Sequence, residues 1–121
     1  MGKFAIKKVP TGVKFNLVAS NGEIIGTSEV YTSDAACKKG IESVKNCAPV
    51  ASVEDQTVEN YEAQKHPKFE IYSDKAGAFR FRFKAKNGEI ILSSEGYTAK
   101  TSCKNGIDSV IKNADSTVVE E

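Results

Sequence analysis

Hydrophobic and polar residues alternate with a period of two over several short segments of the chain, which is typical of half-buried β-strands. The alternation runs over residues 3–7, 13–19 and 24–31, and it returns over 68–86. It is sharpest at 79–83, where phenylalanines alternate with arginines. The pattern therefore predicts three strands in the first half of the chain and three matching strands in the second.

After each set of strands the period changes to that of an α-helix. Cys37, Ile41 and Val44 are spaced four and three residues apart, so they share one face of a helix predicted over 33–47. Equivalent residues in the second half predict a helix over 99–113. Because each helix has one apolar face, we expect both helices to cover one side of a sheet and to leave the other side to solvent.

Threonines and glycines mark the two predicted helices. Thr32 and Thr98 come directly before them and are the predicted N-caps. Gly40 and Gly106 lie in the middle of the apolar faces, where glycine costs about 1 kcal/mol relative to alanine. Since both halves retain this glycine, we expect each helix backbone to lie close against the sheet.

The two halves of the chain are copies of one sequence. Residues 21–48 and 87–114 align without a gap and are identical at 16 of 28 positions. A single half would be a marginal unit that buries little surface, so we expect the halves to share one core. We predict a single domain over 1–121, in which repeat 1 covers about residues 1–60 and repeat 2 about residues 66–121.

An Asn-Gly pair follows the second strand of each repeat and predicts a two-residue hairpin turn with positive φ at both positions. Such a turn sets the pairing of its two strands. The predicted pairs are Ala19 with Ile24, Leu17 with Gly26 and Lys14 with Glu29 in repeat 1, and Ala85 with Ile90, Phe83 with Leu92 and Arg80 with Glu95 in repeat 2. Each repeat would then place a cation opposite a glutamate, an exposed pair that contributes about 0.2–1 kcal/mol.

Charge alternates along the chain in step with the repeat. The net charge is +3 over residues 1–50, −3 over 51–67, +4 over 68–112 and −3 over 113–121. Both acidic segments also contain valines and threonines that suit a strand. We therefore predict a fourth strand after each helix, laid beside basic strands, so that each repeat reads β-β-β-α-β.

Composition excludes several classes of protein. The whole chain has a formal net charge of +1, and no apolar run approaches the roughly 20 residues of a membrane span. The N-terminal residues lack the apolar stretch of a signal peptide. We expect a cytoplasmic protein that makes no contact with membranes.

The side chains that usually carry chemistry are sparse. Three cysteines, Cys37, Cys47 and Cys103, do not suit a disulfide framework, and two of them lie on the apolar helix faces. His66 is the single histidine, and the spacing of these four residues matches no metal site. The chain also lacks a glycine-rich phosphate loop and a Ser-His-Asp set. We predict no catalytic residues, no metal and no cofactor.

Two copies of N-G-E-I-I, each followed by S-E-x-Y-T and C-K-x-G-I, resemble the YegP-like family of small bacterial proteins of uncharacterised function. The residues that carry the resemblance are Asn21 to Ile25, Ser28-Glu29, Tyr31-Thr32 and Cys37 to Val44, with Asn87 to Ile91, Ser94-Glu95, Tyr97-Thr98 and Cys103 to Val110. Repeat 1 departs from repeat 2 in having Gly26 in place of Leu92 and Val13 in place of Phe79.

The resemblance implies an α+β fold in which two β3-αβ units form one antiparallel sheet with two helices on one face. It implies that the C-terminal strand of each repeat is exchanged onto the other, which gives a monomer with internal pseudo-two-fold symmetry. Relatives with one repeat would achieve the same arrangement by dimerising. The resemblance implies no activity.

The predicted register assigns one set of side chains to the uncovered face of the sheet. They are Lys14, Ile25, Glu29 and Tyr31 from repeat 1 and Arg80, Arg82, Lys84, Ile91, Glu95 and Tyr97 from repeat 2. This face is the candidate binding face. It is interpreted first as a solvated surface, and otherwise as a site for a peptide, a protein or a single strand of nucleic acid that stacks on the tyrosines.

The composition ranks these possibilities. A net charge near zero and a glutamate opposite each cation weaken the indication of nucleic-acid binding. An unrecognised enzyme that uses Glu95 and Tyr97 is a further alternative, but a cation opposite the glutamate favours its ionised form over a proton donor. We expect a small non-enzymatic binding or accessory protein, with unknown partners.

Overall fold

A computed structural model describes residues 2–120 of the chain, which form one sheet and two α-helices. The strands are β1 (Lys3–Val9), β2 (Gly12–Val18), β3 (Ile24–Ser28), β4 (Ser52–Asp55), β5 (Lys68–Ser73), β6 (Phe79–Lys84), β7 (Ile90–Ser93) and β8 (Thr117–Glu120). The helices are α1 (Asp34–Cys47) and α2 (Lys100–Lys112), and a short 3-10 turn, Ala48–Val50, follows α1.

The eight strands form one sheet in the order β4-β5-β6-β7-β3-β2-β1-β8. The predicted all-antiparallel sheet is wrong, because β4 pairs with β5 in parallel and β8 pairs with β1 in parallel. The reason lies in the connection. Four strand spacings, about 19 Å, separate β3 from β4, and a helix of 14 residues such as α1 spans about 21 Å. A crossover of this kind, unlike a tight hairpin, can deliver the chain parallel to its new neighbour.

Both helices pack on the same face of the sheet, as predicted, and their bounds fall within one residue of the prediction. A Cβ atom on Gly40 would lie 2.3 Å from Tyr31 Oη, and one on Gly106 would lie 2.6 Å from Tyr97 Oη. The helix backbones therefore lie close against the sheet layer, as the two glycines indicated. The predicted N-caps are wrong, because Ser33 accepts the Ala36 N–H and α2 begins after Ala99.

One hydrophobic core runs through both repeats. Its fully buried side chains come from the sheet and both helices and include Phe4, Phe15, Ile41 and Val44 from repeat 1 and Phe69, Phe81, Phe83, Leu92 and Val110 from repeat 2. Cys37 and Cys103 are buried in this core as free thiols. A continuous core of this kind is what the marginal size of one repeat requires.

The two hairpins do not use the predicted two-residue turn. The Gly22 N–H donates to the Ala19 carbonyl and the Ala19 N–H to the Glu23 carbonyl, so the loop contains three residues. Positive φ occurs at Gly22 and Gly88 but not at the preceding asparagines. This is a three-residue loop in which glycine alone takes the left-handed conformation.

The extra loop residue is compensated by a β-bulge at Ile25. Val18 pairs with Ile24, whereas Leu17 pairs with Gly26 as predicted, and the register shifts between them. The same shift in repeat 2 preserves the predicted pairing of Phe83 with Leu92. Because a bulge changes the face on which a residue lies, Ile25 is buried and Ile24 is 45% exposed, the reverse of the prediction.

A second irregularity follows β3 and is repeated after β7. The Phe15 N–H donates to Ser28 Oγ, and the Ser28 hydroxyl donates to the Glu29 carbonyl. Backbone pairing then resumes between Val13 and Tyr31. The shift of one residue moves Tyr31 to the helix side of the sheet and ends the predicted pairing of Lys14 with Glu29.

The acidic segments form shorter strands than predicted. After β4 the residues 56–67 form turns and coil, and Gln64 N–H donates to Glu54. The prediction that acidic strands lie beside basic ones holds for β4, which pairs with β5 and whose Glu54 contacts Lys68 of that strand at 2.8 Å. Asp55 contacts Lys100 at the start of α2 at 3.0 Å.

Candidate functional site

The face of the sheet opposite the helices carries one continuous row of paired side chains. Phe4 and Ile6 point into the core, so Ala5 between them points outward, and the same alternation holds along the other strands. The strand pairing defines the central row, which reads Val119, Ala5, Asn16, Thr27, Ser93, Arg82, Glu70 and Glu54. Thr27 and Ser93 are equivalent residues of the two repeats and pair at its centre.

Four of the ten predicted face residues lie on this open face. They are Lys14, Arg80, Arg82 and Lys84, which alternate with core residues on β2 and β6. Glu29 and Glu95 are exposed in the segments after β3 and β7. Ile25 and Ile91 belong to the core, each with 5% of its surface exposed, so their predicted place on the open face is wrong.

The tyrosines also lie on the helix side rather than on the open face. The ring of Tyr31 stacks on Phe15 with centroids 6.4 Å apart, and its hydroxyl is buried without a hydrogen-bond partner among residues 2–120. Burial, reinforced by the negative charges of neighbouring groups, raises the pKa of Tyr31 to about 12. Burial raises the pKa of Tyr97 as well. Neither ring is available on the open face for stacking with a base.

The open face of repeat 2 is an ion-pair network centred on Glu70. This carboxylate lies 3.1 Å from Lys68 Nζ, 2.5 Å from Arg82 Nε and 3.2 Å from Lys84 Nζ. Only 4% of the Glu70 side chain is exposed. Burial favours the neutral acid, but the hydrogen bonds from Arg82, Lys68 and Lys84 outweigh it and lower the pKa of Glu70.

Glu54 extends this network onto β4. Its carboxylate accepts hydrogen bonds from Lys68 Nζ at 2.8 Å, Gln56 Nε2 at 2.6 Å and the Gln64 N–H at 2.7 Å. Burial acts against ionisation, yet these hydrogen bonds prevail and lower the pKa of Glu54 from 4.5 to about 2. Two carboxylates and three cations are thereby held together on the open face of β4, β5 and β6, with Glu54 contributed by repeat 1.

Arg80 does not pair with Glu95 as predicted. Its Nε atom lies 2.7 Å from Asp74 Oδ2, and the hydrogen bond from Arg80 lowers the pKa of Asp74. The Arg82 guanidinium lies over the ring of Tyr72, 4.6 Å from its centroid. Every basic side chain of the predicted Arg80–Arg82–Lys84 face therefore has a carboxylate neighbour within its own repeat.

The open face of repeat 1 is built differently. Lys7 and Lys14 are directly opposite each other on β1 and β2, and among the ion pairs of residues 2–120 none involves either of them. Beside them, Ala5 and Asn16 are 2% and 7% exposed. The Oδ1 atom of Asn16 is buried, and the described part of the chain gives it no hydrogen-bond partner.

The prediction from sequence missed the carboxylates that neutralise the basic strand. Glu70, Glu54 and Asp74 were not assigned to the face, although Glu70 alternates with Phe69 and Ile71 in a strand pattern that points it outward. The alternation was the available signal for Glu70. The partner of Glu54 depends on how β4 pairs with β5, and no local pattern indicates that pairing.

The described part of the chain has neither a cluster of metal ligands nor a membrane-spanning helix. Within residues 2–120, no three His, Cys, Asp or Glu side chains are grouped so as to hold a metal ion. Over the same range, neither helix combines the length and apolar character needed to cross a bilayer.

Comparison with known proteins identifies relatives of both repeats. The family described as "Domain of unknown function (DUF1508)" matches residues 12–55 and again residues 74–121. The UPF0339 protein YegP of Yersinia pestis is 43% identical over 122 residues, which cover 100% of this chain and 96% of that protein. The UPF0339 protein of Treponema denticola is 59% identical over 54 residues, 44% of this chain but 93% of that relative, which therefore has the length of one repeat.

Two solved structures share the fold. The solution NMR structure of yegP from E. coli, a protein of unknown function, superposes with a TM-score of 0.80 at 35% identity and covers 99% of this chain and 92% of that one. A UPF0339 protein from Shewanella oneidensis gives a TM-score of 0.81 at 30% identity over 98% of this chain and 90% of that one. The chain therefore belongs to the UPF0339 family of YegP-like bacterial proteins, whose function is uncharacterised.

Proposed function

We propose that this protein is a small non-enzymatic binding protein that presents the open face of its sheet to a partner. The observation that supports this function is the central row, in which eight paired side chains cross a sheet face that neither helix covers. Such a broad, shallow surface suits a macromolecular partner better than a small substrate, which is usually enclosed in a cleft.

The residues considered for acid-base chemistry support a binding role over an enzymatic one. The hydroxyl of Tyr97 faces α2, near Gly106, whereas Glu95 is exposed to solvent. A general acid and base need a shared reacting atom within hydrogen-bond reach. The turned-in tyrosine leaves Glu95 without such a partner on the open face.

An activity screen tests this proposal. The full chain is assayed against panels of esters, phosphoesters, glycosides and amides, together with Glu95→Gln, Tyr97→Phe and the matched control Glu62→Gln in the exposed loop. We expect no turnover above that of the control. A reproducible activity that Glu95→Gln or Tyr97→Phe removes and Glu62→Gln retains would overturn the proposal.

Weak binding of single-stranded nucleic acid is the alternative, based on the basic residues of β6. The carboxylates beside Arg80, Arg82 and Lys84 weigh against it, because they already neutralise the charges that a phosphate backbone would need. A salt titration with a short single strand discriminates between the two functions. Affinity that falls steeply with salt, and that Arg80→Ala with Arg82→Ala abolishes, would favour nucleic acid.

The proposal includes a structural and a cellular component. We infer that residues 1–121 are one folding domain whose repeats complete each other by exchanging their last strands, a view supported by the pairing of β4 with β5 and of β8 with β1. We also infer a cytoplasmic location, supported by three free thiols in a chain of this size.

A further inference from the structure

Lys7 and Lys14 form an unfavourable pair on the open face of repeat 1. They are cross-strand neighbours on β1 and β2, where like charges destabilise a sheet. Within residues 2–120 neither lysine has a carboxylate at ion-pair distance. Their equivalents in repeat 2 are Tyr72 and Arg80, an aromatic ring and a cation that has Asp74 beside it. Repeat 1 therefore has positive charge that repeat 2 neutralises internally.

The part of the central row beside these lysines, here called the floor, consists of Ala5, Asn16 and Val119 and lacks a carboxylate that repeat 2 possesses. Ala5 pairs with Asn16 in the central row, just as Glu70 pairs with Arg82 in repeat 2. Ala5 thus occupies the position of the carboxylate that holds three cations in the sister repeat. At the next strand the contrast recurs, because β8 places Val119 beside Ala5, whereas β4 places Glu54 beside Glu70.

Asn16 does not supply the missing negative charge. The residue is uncharged and 93% buried, and its Oδ1 atom is enclosed with no hydrogen-bond partner among the described residues. A counter-charge for Lys7 and Lys14 therefore has to come from outside the described part of the chain.

We propose that the open face of repeat 1 binds an acidic peptide segment of a partner protein. A carboxylate of the segment pairs with Lys7 Nζ and Lys14 Nζ. This inference rests on the proposed binding function and names the half of the face and the chemistry of the partner.

The surroundings of the site favour a peptide over nucleic acid. Within the described residues the aromatic rings of β1 and β2, Phe4 and Phe15, are fully buried in the core, so this half offers a base nothing to stack on. Val18 borders the floor on the open face, and Val119 at the edge of the floor is 39% exposed. An extended segment with apolar side chains next to its carboxylate matches both the charge and the apolar border.

A titration followed by amide NMR spectra of the full chain tests the site. The probe is a blocked six-residue peptide of alternating valine and glutamate, and its control has glutamine in place of glutamate. At low salt we expect the glutamate peptide to shift the amide signals of residues 5–7 and 14–18 and the side-chain amide of Asn16. The glutamine peptide is expected to bind about tenfold more weakly, because two exposed ion pairs of about 0.7 kcal/mol each are lost.

Variants of the protein distinguish binding at a specific site from non-specific attraction between the peptide and any positive charge. The double variant Lys7→Gln with Lys14→Gln is expected to bind the glutamate peptide about tenfold more weakly, because the same two ion pairs are lost. The variant Ala5→Glu supplies a carboxylate from the protein itself and is expected to lower the affinity for the peptide by a similar factor. Lys38→Gln with Lys39→Gln removes the same charge from α1 and leaves binding unchanged. The amide spectra of each variant report whether the fold is retained.

Several results would overturn the proposal: equal binding of both peptides, retained affinity in the Lys7 and Lys14 double variant, or signals that shift on the helix face or in repeat 2. Tighter binding of a hexamer of deoxythymidine at the same residues would assign the site to nucleic acid instead. If the peptide fails while the full chain binds another partner without turnover, the proposed function stands and this inference does not. Enzymatic turnover that Glu95→Gln removes would refute the proposed function itself, and the activity screen detects it independently of the peptide titration.

Discussion

The two repeats have nearly the same core but different open faces. On the core side, equivalent positions hold the same or similar apolar residues: Phe4 and Phe69, Phe15 and Phe81, Cys37 and Cys103, Ile41 and Ile107, and Val44 and Val110. On the open side, Ala5 and Asn16 of repeat 1 stand where repeat 2 has Glu70 and Arg82.

The difference teaches which constraint acts on each face. A core position is surrounded on every side by close-packed neighbours, so a change in volume is felt at once. A position on the open face contacts only its neighbours in the sheet, and a charge there needs a partner. The cations on β5 and β6 find their carboxylate partners within the chain: Glu70 and Asp74 come from repeat 2, and Glu54 comes from repeat 1 on the neighbouring β4. Repeat 1 supplies none to Lys7 or Lys14 among the described residues, which makes it the half open to an external partner.

The largest expected effect comes from separating the repeats. Residues 68–121 alone lack β4 and the rest of repeat 1, so β5 and the inner side of β7 lose their neighbours. We expect this fragment to be an unfolded chain or a dimer, because about 54 residues bury too little surface alone. Light scattering after size exclusion, with circular dichroism, measures this. A stable folded monomer would contradict the exchange of strands.

Truncation of the matched core phenylalanines compares the two repeats next. Phe15 and Phe81 are each fully buried and each faces the glycine of the overlying helix. We expect Phe15→Ala and Phe81→Ala each to lower the free energy of unfolding by about 4 kcal/mol. Urea unfolding of both variants gives the values. A difference above about 1 kcal/mol, half the range of about 2 kcal/mol seen for Phe→Ala substitutions, would show that the halves of the core are not equivalent.

Acid should selectively weaken the half of the sheet that contains β4 and β5. The pKa of Glu54 is lowered in the folded state to about 2, so the stability that it contributes is complete above its ordinary pKa, 4.5, and is lost as the pH falls toward 2. Glu54→Gln is expected to cost about 2 kcal/mol at pH 7 and to flatten the fall below pH 4.5. Urea unfolding from pH 7 to pH 2 tests this, with Val119→Gln at the equivalent place on β8 as the control. An unchanged slope in Glu54→Gln would refute the assignment.

The contact between helix and tyrosine is expected to give a smaller effect. A Cβ on Gly40 would collide with the Tyr31 hydroxyl, so Gly40→Ala is expected to lose about 1 kcal/mol despite the better helix propensity of alanine. The Tyr31 hydroxyl makes no hydrogen bond within residues 2–120, so Tyr31→Phe alone should be nearly neutral and should partly rescue Gly40→Ala. Thermal unfolding of the two single variants and the double variant forms the cycle. Purely additive effects would show that the two groups do not interact.

Reversing one charge of the lysine pair is expected to give the smallest effect. Lys7→Glu turns a repulsive cross-strand pair into an attractive one and should raise the free energy of unfolding by about 0.5 kcal/mol. Lys39→Glu on the exposed side of α1 is the control. The gain should shrink at high salt, because exposed charges are screened. Loss of stability in Lys7→Glu would mean that another group already compensates Lys14.

The repeat, the helices and most of the core were predictable from sequence, because they depend on local periodicity. Cys37, Gly40, Ile41 and Val44 share one face of α1 by spacing alone, and all four are buried. The pairing of Leu17 with Gly26 was likewise predictable, although the turn that produces it was not. Here a three-residue loop and a bulge compensate each other, so the register beyond them is the one that a two-residue loop would give.

Only the tertiary structure decided which side chains meet on the open face. One inserted residue at a bulge moves a side chain to the opposite face, so Ile25 and Tyr31 are on the helix side although strict alternation places them outside. The partners of Arg80 and Lys68 come from a neighbouring loop and from β4, brought beside them by the order of the strands. The sequence determines periodic burial, because the face on which a residue lies depends on its spacing from residues a few positions away. Charge pairing across a sheet depends instead on which distant strands become adjacent.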